Sequence, residues 1–168
     1  MPRKQVIRSR HHARKFITSI PDSTLRNLIA IVLCSPRDTQ QLARILGCSL
    51  RQAQRIVKKF VEKGIVEAVK YKEWIILDVN EHIKAEIIDG ISAVVNIIAD
   101  NQDIPRERIQ DLLKIILEEV LNLRGRPRIN LTQSREIPYW AEYIYNKTVV
   151  KARERRKELM DEEVILEP

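Results

Sequence analysis

Two cysteines, Cys34 and Cys48, are the only thiols in 168 residues. A chain of this length with 44% hydrophobic residues can bury a core without a disulfide framework, so both read as buried thiols. Histidine is nearly as scarce. His11 and His12 are adjacent and His82 stands alone, which supplies neither half of a finger-type ligand spacing, so no metal is expected. With four glycines there is no Gly-rich phosphate loop. No Ser/His/Asp set and no paired catalytic carboxylates stand out either, and the expectation is a protein that is not an enzyme and carries no cofactor. Uninterrupted apolar runs fall short of the ~20 residues of a membrane span, and the basic N-terminus is not followed by a signal-type apolar region. No membrane partner is expected, and the compartment expected is the cytoplasm.

What the chain has in quantity is charge, unevenly placed. The formal net charge is +7, and residues 1–15 carry six basic side chains and no acidic one. Residues 16–80 carry ten basic against six acidic, whereas residues 81–124 carry five against nine. A positive excess in the first half points that half at a polyanion. Plentiful Ile, Lys, Arg and Glu with modest Gln, Met and Gly is a mix associated with thermophiles.

Residues 1–15 have no apolar periodicity and read as a flexible basic arm. A helix starts at Ser23, with Leu25, Leu28, Ile29, Val32 and Leu33 on one face, and Ser35-Pro36 ends it. Asp38 is placed to cap a second helix, with Gln41 reaching back in a capping box, and Gly47 stops it. Ser49 caps a third helix that runs to Gly64. Its inner face is Leu50, Ala53, Val57 and Phe60, with Ile56 and Val61 beside them, leaving Arg51, Gln52, Gln54, Arg55, Lys58, Lys59 and Glu62 outside. From Ile65 to Val79 two β-branched and aromatic runs flank Tyr71-Lys72-Glu73, a candidate hairpin with no Asn-Gly to fix its tip.

Farther on, Asn80 caps a long helix striped by Ile83, Ile87, Ile88, Ile91, Val94, Val95 and Ile98. Asp103 is placed to cap the next, with Pro105 in its first turn, a stripe from Ile109 to Leu121, and Gly125 as its stop. Gly125–Ile137 reads as a basic loop. A last helix from Pro138 carries Trp140, Tyr143, Ile144 and Tyr145, a cluster read as a packed face in preference to an effector pocket, and passes into Lys151–Glu163, an exposed run with i,i+4 pairs.

The run Leu42-Ala43-Arg44-Ile45-Leu46-Gly47-Cys48-Ser49, continued by Arg55-Ile56-Val57-Lys58-Lys59-Phe60 and Gly64-Ile65-Val66, resembles the winged helix-turn-helix superfamily of DNA-binding transcription regulators. The resemblance covers about a third of the chain. It implies a mainly α fold: three helices and a two-stranded wing over residues 16–79, followed by C-terminal helices over 80–168. It also implies double-stranded DNA as partner and the third helix as the reading element. Arg51, Gln52 and Arg55 are the expected base readers, with Gln54 beside them and Lys58 and Lys59 on phosphates. Lys70, Tyr71 and Lys72 at the wing tip, and Arg37 and Gln40 near the second helix, are expected on the backbone or minor groove. Arg8, Arg10, Arg14 and Lys15 of the arm are expected either to lie along the duplex or to serve only as a solubilising tail.

The two C-terminal stripes are net acidic on their outer faces and favour packing over DNA. They either hold together a homodimer presenting two reading helices to half-sites ~34 Å apart, or complete a monomeric core; the dimer is preferred because small regulators usually use two half-sites. The function expected is sequence-specific transcription regulation. Its alternative is a non-enzymatic assembly factor that docks proteins through the winged helix in a transcription, replication or segregation complex.

Overall fold

A computed structural model describes residues 7–72 and 74–160, and that span is mainly helical with one two-stranded antiparallel sheet. Helix α1 (Arg10–Ser19) is capped by Ser9, whose hydroxyl accepts from the His12 N–H. The arm expected over residues 1–15 is therefore helical from Arg10 onward. Ala13, Phe16 and Ile17 make one buried face of it, a periodicity too short to stand out within a run of basic residues. The part of the arm before Ile7 lies outside the described residues.

Helix α2 (Asp22–Cys34) buries the expected stripe and also Ala30, Ile31 and Cys34, because residues 39–46, 74–79 and 81–101 enclose it from several sides. Helix α3 (Thr39–Leu46) starts at Asp38, whose carboxylate accepts from the Gln41 N–H. The capping box closes one residue early. Gln41 Oε1 accepts from the Arg37 N–H at 2.7 Å, not from that of Asp38. Gly47 (φ 70°) ends α3 in the left-handed region that glycine enters without strain, and Ser49 caps α4 (Leu50–Glu62) by accepting from the Gln52 N–H.

Strands β1 (Val66–Tyr71) and β2 (Trp74–Val79) pair in register from Val66 with Val79 to Tyr71 with Trp74, so the hairpin tip falls between Tyr71 and Trp74. The Ile75 N–H donates to the Arg37 carbonyl and ties the hairpin to the loop before α3.

Helix α5 (Glu81–Asn101) is the central post. Asn80 caps it through the His82 and Ile83 N–H groups, and Ile83, Ile87, Ile91, Val94, Val95 and Ile98 are all essentially inaccessible to solvent. A Cβ at Gly90 would overlap the indole of Trp140, so this helix accepts a glycine in order to seat a tryptophan. Asp103 does not cap the next helix. It takes φ 53° while the Ile104 N–H donates to the Ala99 carbonyl, finishing α5.

The expected helix over 103–124 is broken into a 3₁₀ turn (Arg106–Arg108), α6 (Ile109–Ile115) and a π turn (Ile116–Val120). It stops at Asn122 (φ 52°), three residues before Gly125. Arg26 of α2 explains the stop. Its guanidinium donates to the carbonyls of Leu121, Asn122 and Leu46, meeting the orphan acceptors at the ends of two helices.

Residues 122–138 form a strap without regular structure. The Arg124 N–H donates to the Ile45 carbonyl at 2.8 Å and the Arg128 N–H to that of Leu33 at 2.7 Å. Beyond them Thr132 donates to Ser92 and Asp89, and the Asn96 amide donates to the carbonyls of Thr132 and Ser134. A 3₁₀ turn (Tyr139–Ala141), α7 (Glu142–Glu154) and α8 (Arg156–Met160) complete the fold. Among the described residues the ion pairs near the end are i,i+3 (Lys151–Glu154, Arg155–Glu158), plus Arg155 across to Glu119, and the part of the expected i,i+4 run beyond Met160 lies outside the described residues.

One cluster of buried side chains runs from Ala13 to Leu159 and takes in both C-terminal stripes. Those stripes are covered by the chain's own α1, α2, α7 and strap. No helix among the described residues is long and apolar enough to cross a membrane.

Candidate nucleic-acid interface

Helix α4 separates its faces by chemistry. Ala53, Val57 and Phe60 are buried against the core, and Ile56 is partly so. Leu50 and Val61, expected on the inner face, are 41% and 36% exposed because they sit at the two ends of the helix, where the core curves away. Arg51, Gln52, Gln54, Arg55, Lys58 and Lys59 are all exposed. Lys58 makes a loose ion pair with Glu62 at 4.0 Å.

Arg51, Arg55 and Lys59 are four residues apart and form a single row, which rises ~12 Å along the axis. Together with Ser49, Gln52 and Ile56 they line a shallow concavity of about 310 Å³. Gln54 and Lys58 lie outside it. No acidic residue occurs from Ser49 through Val61, so with Glu62 as the one carboxylate of α4 the face carries a net positive field.

Around α4 the other expected residues divide. Gln40 and Arg37 are exposed at the start of α3, and Lys70 and Lys72 are exposed on the hairpin, with Lys72 at φ 55° in its turn. The side chain of Tyr71 lies outside the described residues. Arg8 and Lys15 are exposed.

Arg10 and Arg14, expected to follow a duplex, are engaged elsewhere. Arg10 meets Glu86 at 3.1 Å and Asp89 at 2.8 Å, and Arg14 meets Glu86 at 2.9 Å. Trp140 Nε1 also donates to Glu86 at 3.0 Å. Glu86 is 1% exposed. Burial by itself would push its carboxyl up, but hydrogen bonds from Arg14, Trp140 and Arg10 and the charge of Arg14 outweigh that and hold it below the usual carboxylate range. This hub fastens α1 to α5 and to the 3₁₀ turn that precedes α7. A charged residue within an apolar stripe was the available signal, but Glu86 falls between Ile83 and Ile87 where helical periodicity leaves its direction open.

A second basic region escaped the sequence-based choice of site residues. Arg44 of α3 and Arg124, Arg126 and Arg128 of the strap line an open cleft of about 670 Å³ with Gln41, Asn122 and Glu118. All four arginines are exposed. Gly125 lets the strap lie this close, since a Cβ there would stand 2.8 Å from Cys34 Sγ. Burial pushes the Cys34 thiol up to about 11, with the charge of Arg128 opposing. The spacing of Arg124, Arg126 and Arg128 at every second residue was the legible signal; their meeting with Arg44, eighty residues earlier, was not.

Among the described residues no group of three or more His, Cys, Asp or Glu side chains is disposed to hold a metal ion. No protein-family model matches the chain, and no curated protein matches it.

Proposed function

We propose that this chain is a sequence-specific double-stranded DNA-binding protein of the winged helix-turn-helix kind, acting in transcription regulation, with α4 as the element that enters the major groove. The observation that carries this reading is the α4 outer face: six exposed Arg, Lys and Gln side chains without an acidic residue among them, on a helix rigidly seated by a tight turn. A helix of this width fits the major groove of B-DNA, where Arg grips guanine and Gln grips adenine through paired hydrogen bonds worth ~1–3 kcal/mol of discrimination each. The order α2, α3, α4, β1, β2 supports it further, with the hairpin tied to the loop before α3 and carrying the exposed Lys70 and Lys72.

A second reading has one observation in its favour. Val69 and Ile76 are paired across the hairpin and are 47% and 50% exposed, an apolar spot suited to a protein surface in the assembly-factor alternative.

Fluorescence anisotropy with duplexes selected from a random pool separates the two. Arg51→Ala with Arg55→Ala is expected to weaken the selected duplex at least tenfold and to flatten the preference over random duplex. Parental binding by the double variant would remove α4 from the interface. Val69→Ser with Ile76→Ser is expected to leave DNA affinity unchanged.

A further inference from the structure

The fold pairs most of the arginines it places near acidic side chains. Arg10 and Arg14 share Glu86, Arg108 meets Asp111, Arg135 meets Asp100, and Arg155 meets both Glu119 and Glu158. Arg44, Arg124, Arg126 and Arg128 make no side-chain hydrogen bond or ion pair among the described residues, although they converge on one cleft. Four guanidinium groups gathered in this way repel one another unless an anion lies between them.

From 124 to 129 the strap alternates: Arg124, Arg126 and Arg128 are exposed, while Gly125, Pro127 and Ile129 are turned partly inward. Such alternation puts all three arginines on one side of the chain, ~6.6 Å between neighbours in an extended segment. A strand of the duplex likewise presents its phosphates as an evenly spaced row, so each arginine of the strap can meet a phosphate of its own. Both ends are fixed by the backbone bonds to Ile45 and Leu33, and Gly125 is packed on Cys34. The row is thus held in place before any ligand arrives.

We infer that the Arg124–Arg128 strap, with Arg44, is a second DNA contact, which grips the sugar–phosphate backbone of the same duplex that α4 reads. The inference rests on the proposed DNA reading of α4. It adds a region outside the helix-turn-helix residues to the interface. Its position favours a duplex over a small anion: the cleft is open, and its α3 wall carries Gln41 and Arg44 beside the exposed Gln40, so it continues the surface that α3 would turn toward DNA. Glu118 also lines the cleft, and its carboxylate offsets part of the positive charge there.

The test uses the full chain and a labelled duplex, with affinity measured across a series of salt concentrations. Replacing Arg124, Arg126 and Arg128 together by Gln is expected to reduce the slope of log K against log salt by about 0.9 for each phosphate no longer neutralised, up to about 2.7 in all. Binding should weaken by the same factor for selected and random duplexes, because phosphate contacts carry no sequence information. Replacing the same three by Lys should keep most of the slope. An unchanged slope in the Gln variant, whose fold is checked by circular dichroism, overturns the inference. If Arg51→Ala with Arg55→Ala abolishes sequence preference in the same assay, α4 stands and only the strap falls. If the parent chain binds no duplex at all, both fall. Inorganic triphosphate is the second probe. Micromolar binding of triphosphate that depends on the strap arginines, with the DNA slope untouched by their replacement, would reassign the cleft to a free phosphate ligand and overturn the DNA contact.

Discussion

A carboxylate as deeply buried as Glu86 would ordinarily be neutral or costly, and here it is held ionised by two arginines and an indole N–H. Its folded pKa lies below its unfolded value, so its contribution to stability is present above the unfolded value of about 4.3 and is lost as pH falls through the folded one. Glu86→Gln keeps the shape and removes the charge. It is expected to cost about 2 kcal/mol at pH 7, and to flatten the fall in stability on acidification below about pH 5. Thermal melts of both proteins at a series of pH values check this; parallel curves would show that the hub does not titrate with folding. Arg10 and Arg14 stand on the other side of the same contacts. Sequence displays a basic residue's charge but not its partner, and for Arg10 and Arg14 that partner is a carboxylate more than seventy positions away.

At the scale of elements, local signals were reliable where local energetics dominates. Asp38, Ser49 and Asn80 are N-caps as their side-chain chemistry predicts, and Gly47 ends α3 as expected. The stretch 103–124 is different. Its apolar stripe implied one helix, but closing it against α2 and α7 requires a 3₁₀ start, a π turn and an end set by Arg26, whose reach across ninety-five positions no local pattern reveals. Arg26→Met keeps the bulk of the stem and removes all three hydrogen bonds. About 2 kcal/mol should be lost, since carbonyls at two helix ends lose their partner and only part of that deficit can be met by water. Urea unfolding should show a lower midpoint at an unchanged slope; an unaltered midpoint would mean that water replaces the clamp completely.

For the whole molecule, the packing of both C-terminal stripes into one core changes what is expected of assembly. With Ile83, Ile87, Leu112, Leu113, Ile116 and Leu117 all inaccessible, these side chains are spent on the chain's own core and cannot meet a second copy. The chain by itself is expected to sediment with the mass of one copy at micromolar concentration, and a dimer mass would point to an interface elsewhere, for which the exposed Val69–Ile76 pair is a test position. On the proposed reading a single copy would bring one recognition helix to DNA, so additional contacts from the strap would add more to affinity than in a twofold complex.

Composition, caps and periodicity determined by themselves the succession of elements from α2 to α5 and the polarity of α4, because those depend on interactions within a few residues and on which side chains avoid water. Tertiary structure alone decided which basic residues remain available for a partner. Arg10, Arg14 and Arg26 were taken up by distant carboxylates and carbonyls, Arg44 was joined to Arg124, Arg126 and Arg128, and both apolar stripes were covered from within. The physical reason is that charge pairing and burial act through space regardless of sequence separation, whereas a cap or a stripe is read within one or two turns of helix.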